Sequence, residues 1–486
     1  MMPITIVGLG PGPLEQMSLG AWRVLESATT VLVRTARHPT VRQLPPEIQV
    51  RSFDVVYESH EAFEQVYEEI AGQVVELGRG EGQVVYAVPG HPLVGEATVQ
   101  RILALARREG IRVEIVPSES FLSAILVALG LDGLDLQVVD ATEVAQLWHP
   151  PLRVDGPAIL GQLYDRSIAS EVKLTLLNAY PPDHEVVLVR AAGTAEQVVR
   201  RLPLEELDRQ PDIDHLTSLY VPPRASPASL ESFQDTVARL RSPSGCPWDR
   251  EQTHQSLRET LLEEAYEVLE ALDSQDPQQL RVELGDLLMQ ICMHAQIATE
   301  EGFFTIYDVV AAIDEKIRRR HPHVFGDTTV SDSEEVLRHW EEIKRSERGE
   351  EDSRSLLAGV PSGLPALAQA NAYQKRVARV GFDWRQAEGV WNKVGEEIAE
   401  LRRALPEERE AEFGDLLFTL VNLARHLTVD AETALRQANA RFRRRFERMQ
   451  ELAAERGLEL ARLSLEEQDR LWDEAKREER GREAQG

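Results

Sequence analysis

Cysteine is almost absent. The chain has only Cys246 and Cys292, and neither sits in a CxxC pair. That excludes a zinc ribbon and points to a reducing compartment. Long apolar runs are missing as well. No segment reaches the length of a membrane span. The start, MMPITIVGLGPG, has neither a basic n-region nor an apolar run of signal length, so a cytoplasmic protein is expected. Positive charge is scarce: 54 Lys and Arg stand against 82 Asp and Glu, a net charge of −28. Such a surface argues against a nucleic-acid groove, which needs a positive footprint. Nucleotides remain open as ligands, because a divalent cation can bridge two anionic partners.

The rest of the composition, 42% hydrophobic and 28% charged, is that of soluble globular domains. At 486 residues the chain exceeds a single core, and about two to four domains are expected. Up to residue 222, short β-rich runs alternate with helical patterns, the grammar of an α/β domain. The predicted strands are 4–10, 29–34, 83–90, 112–118, 136–141, 158–163 and 185–193, with helices such as LGAWRVLESA and ATVQRILALARREG between them. PPRASPAS is a Pro/Ser linker, placed at 223–229, and from 230 the pattern is helical nearly throughout. A polar stretch within 345–362 separates two helical blocks, 230–344 and 363–476, and 477–486 reads as a disordered tail.

The helical blocks repeat each other. EEAYEVLE (263–270) matches EEIAELRR (396–403), ELGD (283–286) matches EFGD (412–415), and DEKIRRR (314–320) matches NARFRRR (439–445). Glu264 and Glu267 are three apart and Glu263 and Glu267 four apart, so they share a helix face, as do Glu283 and Asp286 on the next helix. Pro277 lies between the two, and an antiparallel hairpin brings the pairs together. Bunched carboxylates resist ionisation unless a cation neutralises them. Mg²⁺ takes about six oxygens at roughly 2.1 Å. An isolated EExxE is a solvated helix face; two such pairs on adjoining helices, repeated at Glu396, Glu397, Glu400, Glu412 and Asp415, read as metal ligands. Lys316 with Arg320, and Arg441 with Arg445, are four apart, a forked cationic pair suited to polyphosphate. The alternative is a basic helix end favoured by the dipole.

These motifs, SGCPWDREQTHQSL through KIRRRHPHVFGD (244–327) and GFDW through ANARFRRRFE (381–447), resemble the MazG family of nucleoside triphosphate pyrophosphohydrolases. The resemblance implies tandem all-α units that dimerise and hydrolyse NTPs to NMP and diphosphate with Mg²⁺, or with Mn²⁺ in its place. It implies metal ligands Glu264, Glu267, Glu283 and Asp286, then Glu397, Glu400, Glu412 and Asp415. It implies Glu263 and Glu396 as candidate bases, with Lys393, Arg441 and Arg445 neutralising charge. Lys316, Arg320, Asn439 and Trp472 are implied in binding substrate, Trp472 by stacking on a base or else as a core anchor. Thr260 stands in the first unit where Lys393 stands in the second, so the second unit is expected to be the catalytic one.

VGLGPGPLEQMSLGA (7–21) places Gly8, Gly10 and Gly12 between a strand and a helix, where glycines allow a tight turn and close approach to a ligand. With YAVPGHPLVGEATV (86–99) and VEIVPSESFLSAILVALGLD (113–132) in this order, residues 3–222 resemble the tetrapyrrole (corrin/porphyrin) methylases. The resemblance implies an S-adenosylmethionine pocket lined by Gly10, Pro11, Gly12, Pro89, Gly90, His91 and Pro92. His91 departs from a common Asp, and Ser118 from a common Gly. The expected fold is therefore multidomain: an N-terminal α/β methylase-like domain of two α/β lobes (1–222), then two all-α MazG-type helical modules. The main expected activity is NTP pyrophosphohydrolysis in a homodimer or higher homo-oligomer. A methyltransferase with a regulatory helical half, or a nucleotide-sensing scaffold without turnover, are the rival readings.

Overall fold

The computed structural model describes residues 3–60, 62–333, 335–336, 339–340, 343 and 356–483. Residues 345–355, expected to form part of a linker, lie outside them. The chain divides into two compact units, Met1–Arg250 and Glu251–Gly486.

The first unit contains two five-stranded sheets. In one, β1 (Ile4–Gly8), β2 (Thr30–Val33), β3 (Gln49–Ser52), β4 (Val84–Val88) and β5 (Val113–Val116) lie in the order β3-β2-β4-β1-β5, all parallel. Every residue of β1 and β4 is buried, as a parallel sheet covered on both faces requires. Alternate residues feed two cores. Ile4, Ile6, Val84, Tyr86 and Val88 pack with helices α3 (Phe63–Gly78) and α4 (Ala97–Glu109), while Val7, Val31, Val33, Val85 and Ala87 pack with α1 (Leu19–Glu26). A short α2 (Asp54–Ser59) precedes α3. Next in the chain comes α5 (Phe121–Leu129), which packs against Ile159, Val187 and Val189 of the second sheet.

The second sheet is mixed. β6 (Gln137–Asp140), β7 (Ala158–Gly161), β8 (Glu185–Arg190), β9 (Val198–Pro203) and β10 (Thr217–Val221) are ordered β6-β7-β10-β8-β9, and only β6 and β7 pair in parallel. Its core takes in α6 (Ala141–Val144) and α7 (Arg166–Leu176). The seven strands predicted from sequence are present. β3, β9 and β10 were not predicted: β3 is an exposed edge strand, and β9 carries consecutive arginines that break alternation.

The division between the units falls beyond the expected 223–229 linker, so α8 (Leu230–Arg241) goes with the first unit. Ser229 caps it, and its Oγ donates to Asp155 Oδ2 at 2.7 Å. A short α9 (Pro247–Glu251) follows.

The second unit is helical. α10 (Arg258–Ser274) and α11 (Pro277–Glu300) form the expected antiparallel hairpin. Its turn is made by Gln275 at φ 57°, by Asp276 accepting from the Gln278 and Gln279 amides, and by Pro277 in the first turn of α11. Then come α12 (Ile306–Arg320), opened by a Thr305/Asp308 capping box, and α13 (Pro322–Phe325). After the undescribed stretch, α14 (Ala366–Ala378) leads to a second hairpin, α15 (Ala387–Arg403) and α16 (Arg409–His426), followed by α17 (Ala431–Glu455).

Residues 477–483, expected to be disordered, belong instead to α18 (Leu465–Glu483). The acidic face of α18 meets basic α17: Arg448 pairs with Glu478 at 2.7 Å and Arg456 with Glu474 at 2.5 Å. The composition that suggested a frayed tail is that of a helix with a charged partner.

Candidate functional site

The two hairpins bring the acidic motifs together, with different membership. In the first, carboxylate oxygens of Glu264, Glu267 and Glu283 lie within 4.8 Å of one another. In the second, Glu397, Glu412 and Asp415 do so. Asp286 and Glu400 stand just outside these triads, yet close enough to act on them. The Glu264 carboxyl is pushed above its usual range by burial, then by the Asp286 and Glu267 charges. Glu412 is pushed up by burial, then by Glu400, Asp415 and Glu397. Crowded carboxylates of this kind, offering oxygen alone, fit a hard divalent cation.

The repeats differ in their resident cations. Lys393 Nζ lies 2.8 Å from Glu396 and 2.8 Å from buried Glu397. Its ammonium is held well above the usual lysine range, first by the bond to Glu396 and then by that to Glu397. Thr260 in the first repeat offers no such charge. Glu263 is exposed and lines a cavity of about 770 Å³ together with Glu267, Asn439 and Arg441.

Other expected site residues stand apart. Arg445 donates from Nε to Glu479 of α18 at 2.5 Å, an ion pair that binds helix to helix. Trp472 is half-buried against the core of Met449, Leu452 and Leu471, with its ring 5.3 Å from Phe442, which is the anchoring arrangement. Arg320 lies over the Trp340 ring, and Lys316 is exposed on α12.

In the first unit the glycine loops meet each other. The Gly90 amide donates to Gly10 O at 2.8 Å and the Gly10 amide to Gly90 O at 3.3 Å. Gly10 has φ +77°, and an added Cβ would lie 2.8 Å from Gln16 O. Here glycine serves the contact between two loops as well as any ligand. His91 Nδ1 accepts from the Leu93 amide at 3.1 Å, a bond that an Asp at this place could also accept. Ser118 Oγ donates to Gly8 O at 2.7 Å and so ties the segment after β5 to the end of β1.

The sequence reading missed His38 and Thr40. Buried His38 contacts Gly10 O through Nε2 at 3.0 Å, and its Nδ1 accepts from the Thr40 amide; Thr40 Oγ1 donates to Gly12 O at 3.0 Å. Burial pushes the His38 pKa down to about 4, against the raising effect of the Gly10 bond. Neutral His38 is then a donor at Nε2. A histidine with no motif around it gave no signal in the sequence. Pro11, Pro89 and His38 line a cavity of about 920 Å³ at the C-terminal ends of the parallel strands, where ligands bind such sheets.

The family described as Tetrapyrrole (Corrin/Porphyrin) Methylases matches residues 3–208, and that described as MazG nucleotide pyrophosphohydrolase domain matches residues 252–325. The chain is 46% identical to a Bacillus subtilis protein called uncharacterized protein YabN, over 98% of this chain and 99% of that one. It is 47% identical to the nucleoside triphosphate pyrophosphohydrolase/pyrophosphatase MazG of Thermotoga maritima, over 51% of this chain and 95% of that one. Among solved structures, uroporphyrin-III-C-methyltransferase from Thermus thermophilus is 27% identical and covers 46% of this chain and 92% of its own, with a TM-score of 0.37.

Proposed function

The chain belongs to the MazG nucleotide pyrophosphohydrolase family, with a methylase-like α/β domain ahead of its helical half, and from that premise we propose that it hydrolyses nucleoside triphosphates to nucleoside monophosphates and diphosphate. The observation that carries this reading is the pair of carboxylate triads, one on each helical hairpin. Glu264, Glu267, Glu283 and Asp286 would hold Mg²⁺ in one set, and Glu397, Glu400, Glu412 and Asp415 in the other. Bound there, the cation would neutralise phosphate charge and lower the pKa of water.

Water attacks the α-phosphorus, its proton passes to a glutamate, and the α–β bridging P–O bond breaks with its electron pair leaving on diphosphate. Glu263 and Glu396 are the candidate bases; Glu396 is already engaged by Lys393, which favours Glu263. Lys393 and Arg441 supply positive charge near the carboxylates. Control of the nucleotide pool is the corresponding role.

The exposed apolar residues Leu262, Leu284, Leu288, Ile313 and Ile317 on α10–α12 suit burial in a homodimer. No helix among the described residues is long and apolar enough to cross a membrane. The 920 Å³ cavity beside the Gly10–Gly90 contact supports a second ligand, S-adenosylmethionine.

The test is a panel of canonical and damaged NTPs with Mg²⁺ and S-adenosylmethionine, with products resolved. Monophosphate plus diphosphate, lost in excess chelator, is expected. S-adenosylhomocysteine as the only product would favour a methyltransferase, and no product a nucleotide-sensing scaffold.

A further inference from the structure

The 920 Å³ cavity of the first unit offers a ligand little positive charge. Its charged lining is two arginines, Arg34 and Arg37, and three carboxylates, Asp54, Glu58 and Glu196. Arg34 is already engaged. Its Nη1 donates to Glu96 Oε1 at 2.6 Å, and that glutamate side chain is only 4% exposed. Its Nε donates to the Tyr57 hydroxyl at 2.7 Å. Arg37 is exposed and acts on the charge of Asp54. His38 adds no charge at neutral pH, since burial pushes its pKa down to about 4.

The carboxylates are held in different ways. Asp54 is fixed: its Oδ2 accepts from the Ala36 amide at 2.9 Å and from Ser52 Oγ. Burial acts to raise its pKa, but hydrogen bonds from Ser52, Thr35 and the Ala36 amide hold it below the usual carboxylate range. Glu58, on α2, and Glu196, between β8 and β9, are exposed, and neither forms an ion pair among the described residues. Counting carboxylates and guanidinium groups, the lining is negative by one formal charge, and Glu96 makes it two. Walls that carry one sign of charge focus the field inside a cleft.

A tetrapyrrole acid of the uroporphyrin kind bears a rim of carboxylates. Each one loses water on entering a cavity, which costs free energy unless a cation or a hydrogen-bond donor meets it. Here that rim would face Asp54, Glu58 and Glu196, with Arg37 alone of the lining arginines left to answer it. Resting on the reading that this cavity binds S-adenosylmethionine, we infer that Asp54, Glu58 and Glu196 select its second ligand by charge: they turn away polycarboxylates and admit a neutral or cationic molecule. The first unit thus combines a methylase fold with a ligand class other than the tetrapyrrole acids.

The experiment uses the full chain at low ionic strength, with and without S-adenosylhomocysteine. Two porphyrin probes are compared by calorimetry: uroporphyrin III, a polycarboxylate, and tetrakis(N-methylpyridinium)porphyrin, a polycation. Wild type should prefer the cationic probe by about tenfold or more. Asp54→Asn, Glu58→Gln and Glu196→Gln together should abolish that preference. Glu81→Gln, Glu114→Gln and Asp132→Asn together change the net charge equally at exposed positions outside the cavity, and should leave the preference within about twofold. Salt at about 1 M, where the screening length is roughly 3 Å, should erase it in wild type. Asp54 opens α2, so Glu58→Gln with Glu196→Gln is the second variant should the triple melt early. The inference is overturned if wild type binds uroporphyrin III as tightly as the cation, or if the remote changes shift the preference as much as those in the cavity. Failure of S-adenosylhomocysteine to bind wild type overturns the cofactor reading by itself, and the probe preference still decides the charge selection.

Discussion

Lys393→Met makes the stability of the helical half depend on magnesium. The Glu397 side chain is 6% exposed and its ammonium partner lies 2.8 Å away, on a lysine that is itself 30% exposed. Removing one partner of a fully buried pair costs about 3–5 kcal/mol, because a charge is left uncompensated. The partial exposure of Lys393 lets water reach the gap, and the exposed Glu396 pair contributes little, so a loss of about 1–3 kcal/mol is expected. For a unit of this size each kcal/mol lowers the midpoint by roughly 2–4 °C. In chelator the second unit should therefore melt some 2–12 °C lower, on the order of the product of those ranges. Adding Mg²⁺ should restore most of this, since Glu397, Glu412 and Asp415 converge and a cation takes over the neutralising role. The assay is calorimetric melting of wild type, Lys393→Met, Glu397→Gln and the double variant, each with and without Mg²⁺. The double variant should be less destabilised than the sum of the two singles. Equal destabilisation of Lys393→Met with and without Mg²⁺ would refute the argument, because it would mean that the lysine packs rather than neutralises.

Three further outcomes are expected. His38 is neutral when folded, with its pKa pushed from 6.5 to about 4; protonation then favours the unfolded chain, so the first unit loses stability as pH falls from 6.5 toward 4, by up to ~3 kcal/mol. His38→Gln keeps a donor for Gly10 O without titrating, and an unaltered pH–melting profile in that variant would count against the assignment. In chelator the raised Glu264 and Glu412 carboxyls bind protons more tightly when folded, so the melting advantage of Glu264→Gln and Glu412→Gln over wild type should shrink as pH falls toward the acid range; saturating Mg²⁺ should abolish that pH dependence, and melting of each variant in both conditions tests it. S-adenosylhomocysteine at millimolar concentration should raise the melting point of the first unit, and Gly10→Ala should remove the shift, since its Cβ would sit 2.8 Å from Gln16 O at a φ of +77°; a shift retained in the variant would place the ligand elsewhere.

Much of this architecture was legible because periodicity and motif coincide. Strands β1 and β4 are uninterrupted apolar runs, and burial on both faces is what such runs require. The α10–α11 hairpin was readable from Pro277 between two leucine-rich stretches. The edge strand β3 was not, since Gln49–Ser52 is exposed throughout and carries no pattern of burial. Nor was α18, because a helix rich in Glu, Arg and Lys looks like solvent-loving chain until the basic face of α17 is placed beside it. His38 escaped for a related reason: its role is to hold a carbonyl of a loop 28 positions away, and nothing local records that.

The repeat itself shows where sequence spacing stops being informative. The two acidic motifs match position for position, yet the triads differ. The first takes two carboxylates from its first helix and one from its second; the other takes one and two. The difference follows the cation. Lys393 draws Glu396 and Glu397 to itself one turn along α15, leaving Glu400 outside the triad. Without that ammonium, Glu264 and Glu267 stay together, and Glu264 is crowded by neighbouring carboxylates. In a chain of net charge −28, arginines near a polyanion site cannot be supplied by the average surface. They are concentrated on α17, whose ties to Asp273 and Glu270 set the basic stripe against the first repeat. One duplicated motif has thereby come to hold two electrostatic arrangements, one neutralised from within by Lys393 and one of carboxylates crowded together.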